Sequence, residues 1–287
     1  MTIFKTSFLL LINSLLFLQI QAQDTKTDTT KVADKWAKTW LASINGSQAS
    51  YRNWSQGGAT SVSGAASSVY RSTYTSERFV YKFIKNFKYG QINNEGENVQ
   101  KTDDQILIRN SFEIVLSDIS SLVANVNFQS QFASGYDTAV DERARISDFF
   151  APAYVTQNIN YAVTPGKAFN AQIGAGLKQT IVTIDGLETL YGVKTGENIR
   201  FEAGLSFGLS FTKTLATNVT WNSEFDSFSN LQASLRSTDF AFRNEIIGKI
   251  NNFMNTNFQF AVMYDDDFSE QLQIKQVLSV GITLKIL

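Results

Sequence analysis

From Trp40 to Leu287 the chain alternates apolar and polar residues with a period of two, in segment after segment. The run Ile199, Phe201, Ala203, Leu205, Phe207, Leu209, Phe211 shows it best, with Arg200, Glu202, Gly204, Ser206, Gly208, Ser210 and Thr212 between. A period of two places one set of side chains on each face of a β-strand. Strands of soluble sandwiches usually last about five or six residues, whereas crossing a hydrocarbon layer at a tilt takes about nine to eleven. The long alternating runs therefore point to strands that span a membrane, with one face to lipid and the other to a lumen.

The N-terminus agrees with export. Lys5 precedes the apolar run Phe8 to Ile20, and Ala22 puts a small residue before polar Gln23. This predicts a signal peptide over residues 1–22, cut after Ala22. The competing reading, an uncleaved helical anchor, would need about 20 apolar residues, more than the run supplies. Residues 23–39 are then a short periplasmic segment and residues 40–287 a single barrel, since no proline-rich hinge or composition shift divides them. The chain has no cysteine, hence no disulfide framework, and a net charge of -1, hence no global field for nucleic acid.

The alternation places strands near 40–51, 60–75, 77–90, 104–117, 121–133, 149–163, 167–183, 197–213, 215–228, 236–250, 255–266 and 271–286. About twelve antiparallel strands form a closed barrel, and an even count is the rule for bacterial single-chain barrels. Short links at 75–76, 118–120, 164–167, 213–214 and 251–254 alternate with longer ones around 54–59, 91–103, 134–148, 185–196 and 229–235. Such barrels alternate short periplasmic turns with long external loops. Both termini are then expected on the periplasmic side of a bacterial outer membrane.

The expected lumen face carries Arg109, Glu113, Lys178, Arg200, Glu202, Glu224, Asp226, Arg243, Glu245, Lys249 and Lys275. Mixed signs favour cross-strand ion pairs, because like charges directly opposite each other are destabilising. Eight-stranded barrels are filled by side chains and sixteen-stranded ones hold channels, so about twelve strands leave either a narrow pore or a plug.

Histidine is absent, which removes the histidine-based mechanisms of hydrolytic and acyl-transfer barrels. A carboxylate pair, Glu224 and Asp226 on one strand face, is the remaining catalytic candidate, against the simpler reading that both belong to the polar lining. Asp265, Asp266 and Asp267 form an acidic tip between the last two strands, and Asp103-Asp104 closes another external loop. Clustered carboxylates can hold calcium, but these lack the glycine and downstream glutamate of a recognised calcium loop, so a solvated turn is the plainer expectation. Tyr51, Trp54, Tyr136, Phe149, Phe150, Tyr154, Tyr191, Phe228 and Tyr264 gather near the external strand ends, as an interfacial girdle would. No cofactor is expected.

Four segments carry a resemblance: Asn53-Trp54-Ser55-Gln56-Gly57-Gly58, Lys101-Thr102-Asp103-Asp104, Phe150-Ala151-Pro152-Ala153-Tyr154 and Tyr264-Asp265-Asp266-Asp267. In order and spacing the chain resembles a family of outer-membrane barrels of Bacteroidota catalogued as a domain of unknown function. The resemblance implies location and architecture and brings no catalytic residues. It marks Asn53, Trp54, Gly57, Gly58, Asp103 and Asp104 as external-loop candidates. The expected function is a non-enzymatic barrel, either a narrow small-solute channel or a structural component of an envelope complex. A surface binding or adhesion barrel and a carboxylate-only enzyme are the alternatives. Membrane lipid is the expected partner, joined by other envelope proteins in the complex reading.

Overall fold

The computed structural model describes residues 35–49, 60–137, 144–233, 238–265 and 267–287. Five strands come first: β1 (Trp36–Ala49), β2 (Ser61–Thr75), β3 (Phe79–Asn94), β4 (Gln100–Val115) and β5 (Ser120–Ser130). Two short strands, β6 (Gly135–Tyr136) and β7 (Arg145–Ser147), pair with each other in the following loop. Then come β8 (Ala153–Val163), β9 (Phe169–Ile181), β10 (Ile199–Ala216), β11 (Val219–Asn230), β12 (Thr238–Lys249), β13 (Met254–Asp265) and β14 (Ser269–Lys285). All except β6 and β7 join one closed barrel in the order β1-β14-β13-β12-β11-β10-β9-β8-β5-β4-β3-β2. These twelve barrel strands are all antiparallel to their neighbours, and β1 closes the ring against β14.

Closure gives every barrel strand a neighbour on both sides, β1 meeting β14 over Leu41–Gly46 and Val280–Lys285, and such pairing is how a spanning sheet meets its backbone hydrogen-bonding needs away from solvent. The outward positions are then free to be apolar. Ile159, Phe201, Ile274 and Leu278 are 63%, 68%, 68% and 72% exposed on that surface. Their neighbours in register alternate inward: Arg200 faces Thr180, Glu202 faces Lys178 and Ser206 faces Gly174. No helix among the described residues is long and apolar enough to cross a membrane, which says nothing about strands.

One rim carries tight links, the other long loops. At the turn rim, β10 runs past the expected break at 213–214 through an irregularity between Thr214 and Ala216, and the chain reverses at Thr217-Asn218. Asparagine at such a two-residue turn is a common hairpin choice. At the loop rim, β3 and β4 extend to Asn94 and from Gln100, so most of the expected 91–103 loop is strand. That hairpin tip has polar residues on both faces, and a two-sided polar strand carries no alternation to read. Lys101, Thr102, Asp103 and Asp104 consequently lie within β4. The first strand begins at Trp36, ahead of the expected residue 40. Phe149 and Phe150 form a turn before β8, closed by a bridge between Asp148 and Ala151.

The largest apolar cluster sits at the loop rim, in the connection from β9 to β10. A short 3-10 helix, Glu188–Tyr191, turns there, and Val182, Leu187, Tyr191 and Val193 bury themselves against Ala151, with Ile184, Leu190 and Phe268 packed alongside. Gly192, at φ 66°, ends the helix. A Cβ at that position would run into the Arg200 guanidinium and the Asp267 carboxylate, so the close approach as well as the backbone angle calls for glycine.

Candidate functional site

Inside the barrel lies a cavity of about 730 Å³ reaching from Lys82 and Ser111 up to Tyr191 and Phe268. One wall, built by β5, β8 and β9, presents amides and hydroxyls: Asn125, Asn127, Gln129, Asn158, Asn160 and Gln172. These groups hold one another. Asn160 donates to Gln172 Oε1 at 3.3 Å, Ser206 donates to Asn160 Oδ1 at 2.7 Å, and Asn127 donates to Thr156 Oγ1 at 3.2 Å. Asn158 Oδ1 is buried and accepts no hydrogen bond from the described protein groups. The wall is polar and largely uncharged, fit to exchange hydrogen bonds with a small polar molecule.

The adjoining wall, from β10 to β12, is laced with ion pairs. Arg243 pairs with Asp226 at 2.8 Å. Arg109 on β4 reaches Glu224 on β11 at 3.8 Å, and those two strands stand nearly opposite each other in the ring. That contact spans the lumen, so the pair narrows the passage at its level. Lys275 on β14 similarly reaches Asp103 on β4 at 2.5 Å. Lys82 pairs with Glu113 at 3.0 Å, and Glu245 accepts hydrogen bonds from Asn257 and Gln259 at 2.8 and 3.2 Å. Lys249 occupies an inward register position opposite Asn255 at the turn rim.

Nearer the loop rim the charges become buried. Lys178 lies between Asp239, at 2.5 Å, and Glu202, at 3.6 Å. Glu202 also pairs with Arg200 at 2.7 Å and accepts from Asn230 at 2.9 Å. Arg200 in turn bonds Asp267. Tyr191 stacks on Phe268 with ring centroids 5.6 Å apart, and its hydroxyl donates to the Ile146 carbonyl at 2.5 Å. Burial pushes the Tyr191 phenol up, with the nearby Asp265 carboxylate adding to the shift, so it stays a neutral donor. The apolar lid from the β9–β10 connection is thus fastened to neighbouring loops through Tyr191, while Gly192 packs close against the Arg200–Asp267 pair.

Several residues sit elsewhere than the sequence pattern suggests. Asp267 is engaged with Arg200, and Asp265 lines the cavity beside Phe268; Asp266 lies outside the described residues. The described residues contain no group of carboxylates arranged to hold a metal ion. Asp104, instead of closing a loop, accepts from the Phe132 and Ala133 N–H groups and pairs with Lys101. Tyr154 and Phe228 turn into the cavity, with Lys178 Nζ 5.7 Å from the Tyr154 ring centroid. Inside the barrel they pack against polar groups; an outward position there would hand them to lipid and leave the cavity unlined. Asn53, Trp54, Gly57 and Gly58, with Tyr51, lie outside the described residues. Lys82 and Asp239 are site residues that the pattern missed. Parity could have found both: Lys82 lies between outward Tyr81 and Phe83, and Asp239, second in its strand, shares the parity of Arg243 and Glu245.

A closed sheet with an apolar exterior and a polar, ion-paired interior is a membrane-spanning β-barrel. Residues 46–136 match a family described as "Protein of unknown function (DUF3078)". Two of the four resembling segments, Asn53–Gly58 and Lys101–Asp104, fall inside that stretch. No curated protein matches the chain. Among solved structures, it is similar to the translocator domain of the autotransporter NalP from Neisseria meningitidis, at 14% identity, TM-score 0.41, over 86% of this chain and 87% of that one. It is also similar to the COG4313 outer membrane channel from Pseudomonas putida F1, at 8% identity, TM-score 0.42, over 90% and 99% of the two chains. The NanC porin follows at 7% identity and TM-score 0.38, over 85% and 97%.

Proposed function

We propose that the protein is a non-enzymatic barrel of the bacterial outer membrane that passes small polar solutes through a narrow, charge-laced lumen, with both termini in the periplasm. The observation that carries this reading is the Arg109–Glu224 contact across the cavity: at 3.8 Å between partially exposed side chains, it is a constriction a solute can part. A solute entering there meets an amide wall and, adjoining it, paired charges. The amides can replace its lost water, and the balanced charges select weakly for sign. Glu224 and Asp226 pair with Arg109 and Arg243, which accounts for both as parts of the polar lining.

Planar-bilayer recording of the full chain tests the proposal. Small, stable conductance steps are expected, and the double variant Arg109→Ala, Glu224→Ala should enlarge them by roughly twofold or more as the constriction widens. A barrel silent in both forms refutes transport and favours a structural role in an envelope complex.

A further inference from the structure

The lipid-facing wall of β1, β2 and β3 contains a groove of about 720 Å³ near the turn rim. Its lining includes Trp36, Trp40, Tyr70 and Phe83, and two lysines, Lys38 and Lys85. Register shows that both lysines are outward. Lys38 faces Ser72 beside exposed Trp36 and Trp40, and Lys85 faces Tyr70 on one side and Ile108 on the other. Phe79 with Ile114, and Tyr81 with Phe112, lie between Lys85 and the turn rim, so that lysine stands within the apolar belt.

A cation on the lipid face of a barrel is costly, more so with depth. Among the described residues, the lysines that form salt bridges are Lys82, Lys101, Lys178 and Lys275; Lys38 and Lys85 form none. Their ammonium groups lean the same way. Lys85 Nζ lies 5.3 Å from the Phe83 ring centroid and Lys38 Nζ 5.9 Å from that of Trp36, and each ring belongs to the residue two positions nearer the turn rim. Both side chains thus snorkel toward one leaflet, into one groove. The Trp40 indole, tied to Ser68 Oγ at 3.0 Å, makes a fixed flat wall beside them.

We infer that this groove seats the phosphate of an anionic phospholipid from the leaflet at the turn rim, with Lys38 and Lys85 as its counter-ions and the aromatic walls against its glycerol and upper acyl chain. The occupant is chosen by charge complementarity: the site offers two unpaired cations and ring faces, and a lipid phosphate is the anion that the surrounding bilayer supplies at that depth.

The test reconstitutes the full chain in vesicles of equal parts phosphatidylglycerol and phosphatidylcholine and counts co-extracted lipids by native mass spectrometry. The wild type should retain phosphatidylglycerol in preference, by roughly fivefold per lysine, the factor expected for one basic residue at an anionic surface. Lys38→Gln, Lys85→Gln should abolish the preference, whereas Lys38→Arg, Lys85→Arg and the outward turn-rim control Lys213→Gln should keep it. Undiminished preference in the double glutamine variant, equal loss in Lys213→Gln, or a dimer carrying no bound lipid would each overturn the inference. Gel mobility with and without heating shows which variants fold, and the arginine pair keeps the inference falsifiable if the glutamine pair does not.

Discussion

Removing the Lys178 ammonium should expose the cost of burying charge in this barrel. In the Lys178→Met variant, methionine fills the same space without the cation. The Lys178 and Glu202 side chains are 9% and 3% exposed, and Asp239 is 21% exposed. The two carboxylates fare differently. Glu202 keeps Arg200 at 2.7 Å and the Asn230 amide at 2.9 Å. Asp239 pairs with no other cation among the described residues, and becomes a poorly solvated, uncompensated charge. Breaking a buried pair from one side typically costs about 3–5 kcal/mol. Because Glu202 retains a guanidinium, the lower end, about 3 kcal/mol, is expected. Adding Asp239→Asn removes the orphaned charge and should recover all but about 1 kcal/mol, while adding Glu202→Gln should recover less. Urea titration of folding into lipid vesicles, followed by tryptophan fluorescence, measures these differences. If Lys178→Met changes stability by less than about 0.5 kcal/mol, or if Glu202→Gln rescues better than Asp239→Asn, the assignment of the cost to Asp239 is wrong.

The loop rim offers two further tests. Gly192→Ala, at a φ of 66° and with its Cβ directed into Arg200 and Asp267, should loosen the lid while leaving the barrel intact; faster protease cleavage within residues 182–198, with unchanged heat-modifiable mobility, is the expected result. Asp148 organises the neighbouring β5–β8 loop: burial opposes its ionisation, but the Phe149 N–H, the Ser134 hydroxyl and the charges of Arg145 and Lys101 together hold its pKa below the ordinary 3.8. A depressed carboxylate stabilises the fold fully above its unfolded pKa and loses that contribution as pH falls through the folded value. Amide-exchange protection of residues 145–151 should therefore hold from neutral pH down to about 5 and collapse only below 3.8, whereas Asp148→Asn should lower it at every pH.

Strand identity and facing were legible because alternation is a local property. The chain from Ile199 to Phe211 needs no partner to show which residues seek lipid, and Arg200, Glu202, Glu224, Asp226 and Arg243 follow by parity. Legibility fails where the lipid constraint ends. The β3–β4 hairpin tip is polar on both faces and reads as loop; the 182–198 connection has an apolar pattern with no period, because its partners, Ala151 and Phe268, come from other loops. Tyr154, Tyr191 and Phe228 read as a girdle because an aromatic near a strand end looks the same whether it faces headgroups or a cavity.

The sequence by itself determined that these strands are long, which face of each meets lipid, and that the lumen carries both signs of charge, since each follows from spacing within one strand. Only the tertiary structure decided which charges meet. Arg109 finds Glu224, Lys275 finds Asp103 and Lys178 finds Asp239 across strands far apart in the chain, because barrel closure and register, and not local pattern, set what lies opposite what. The register of the consecutive strands β1, β2 and β3 likewise brings Lys38 and Lys85 to one groove, where two separately unremarkable lysines become a single anion site.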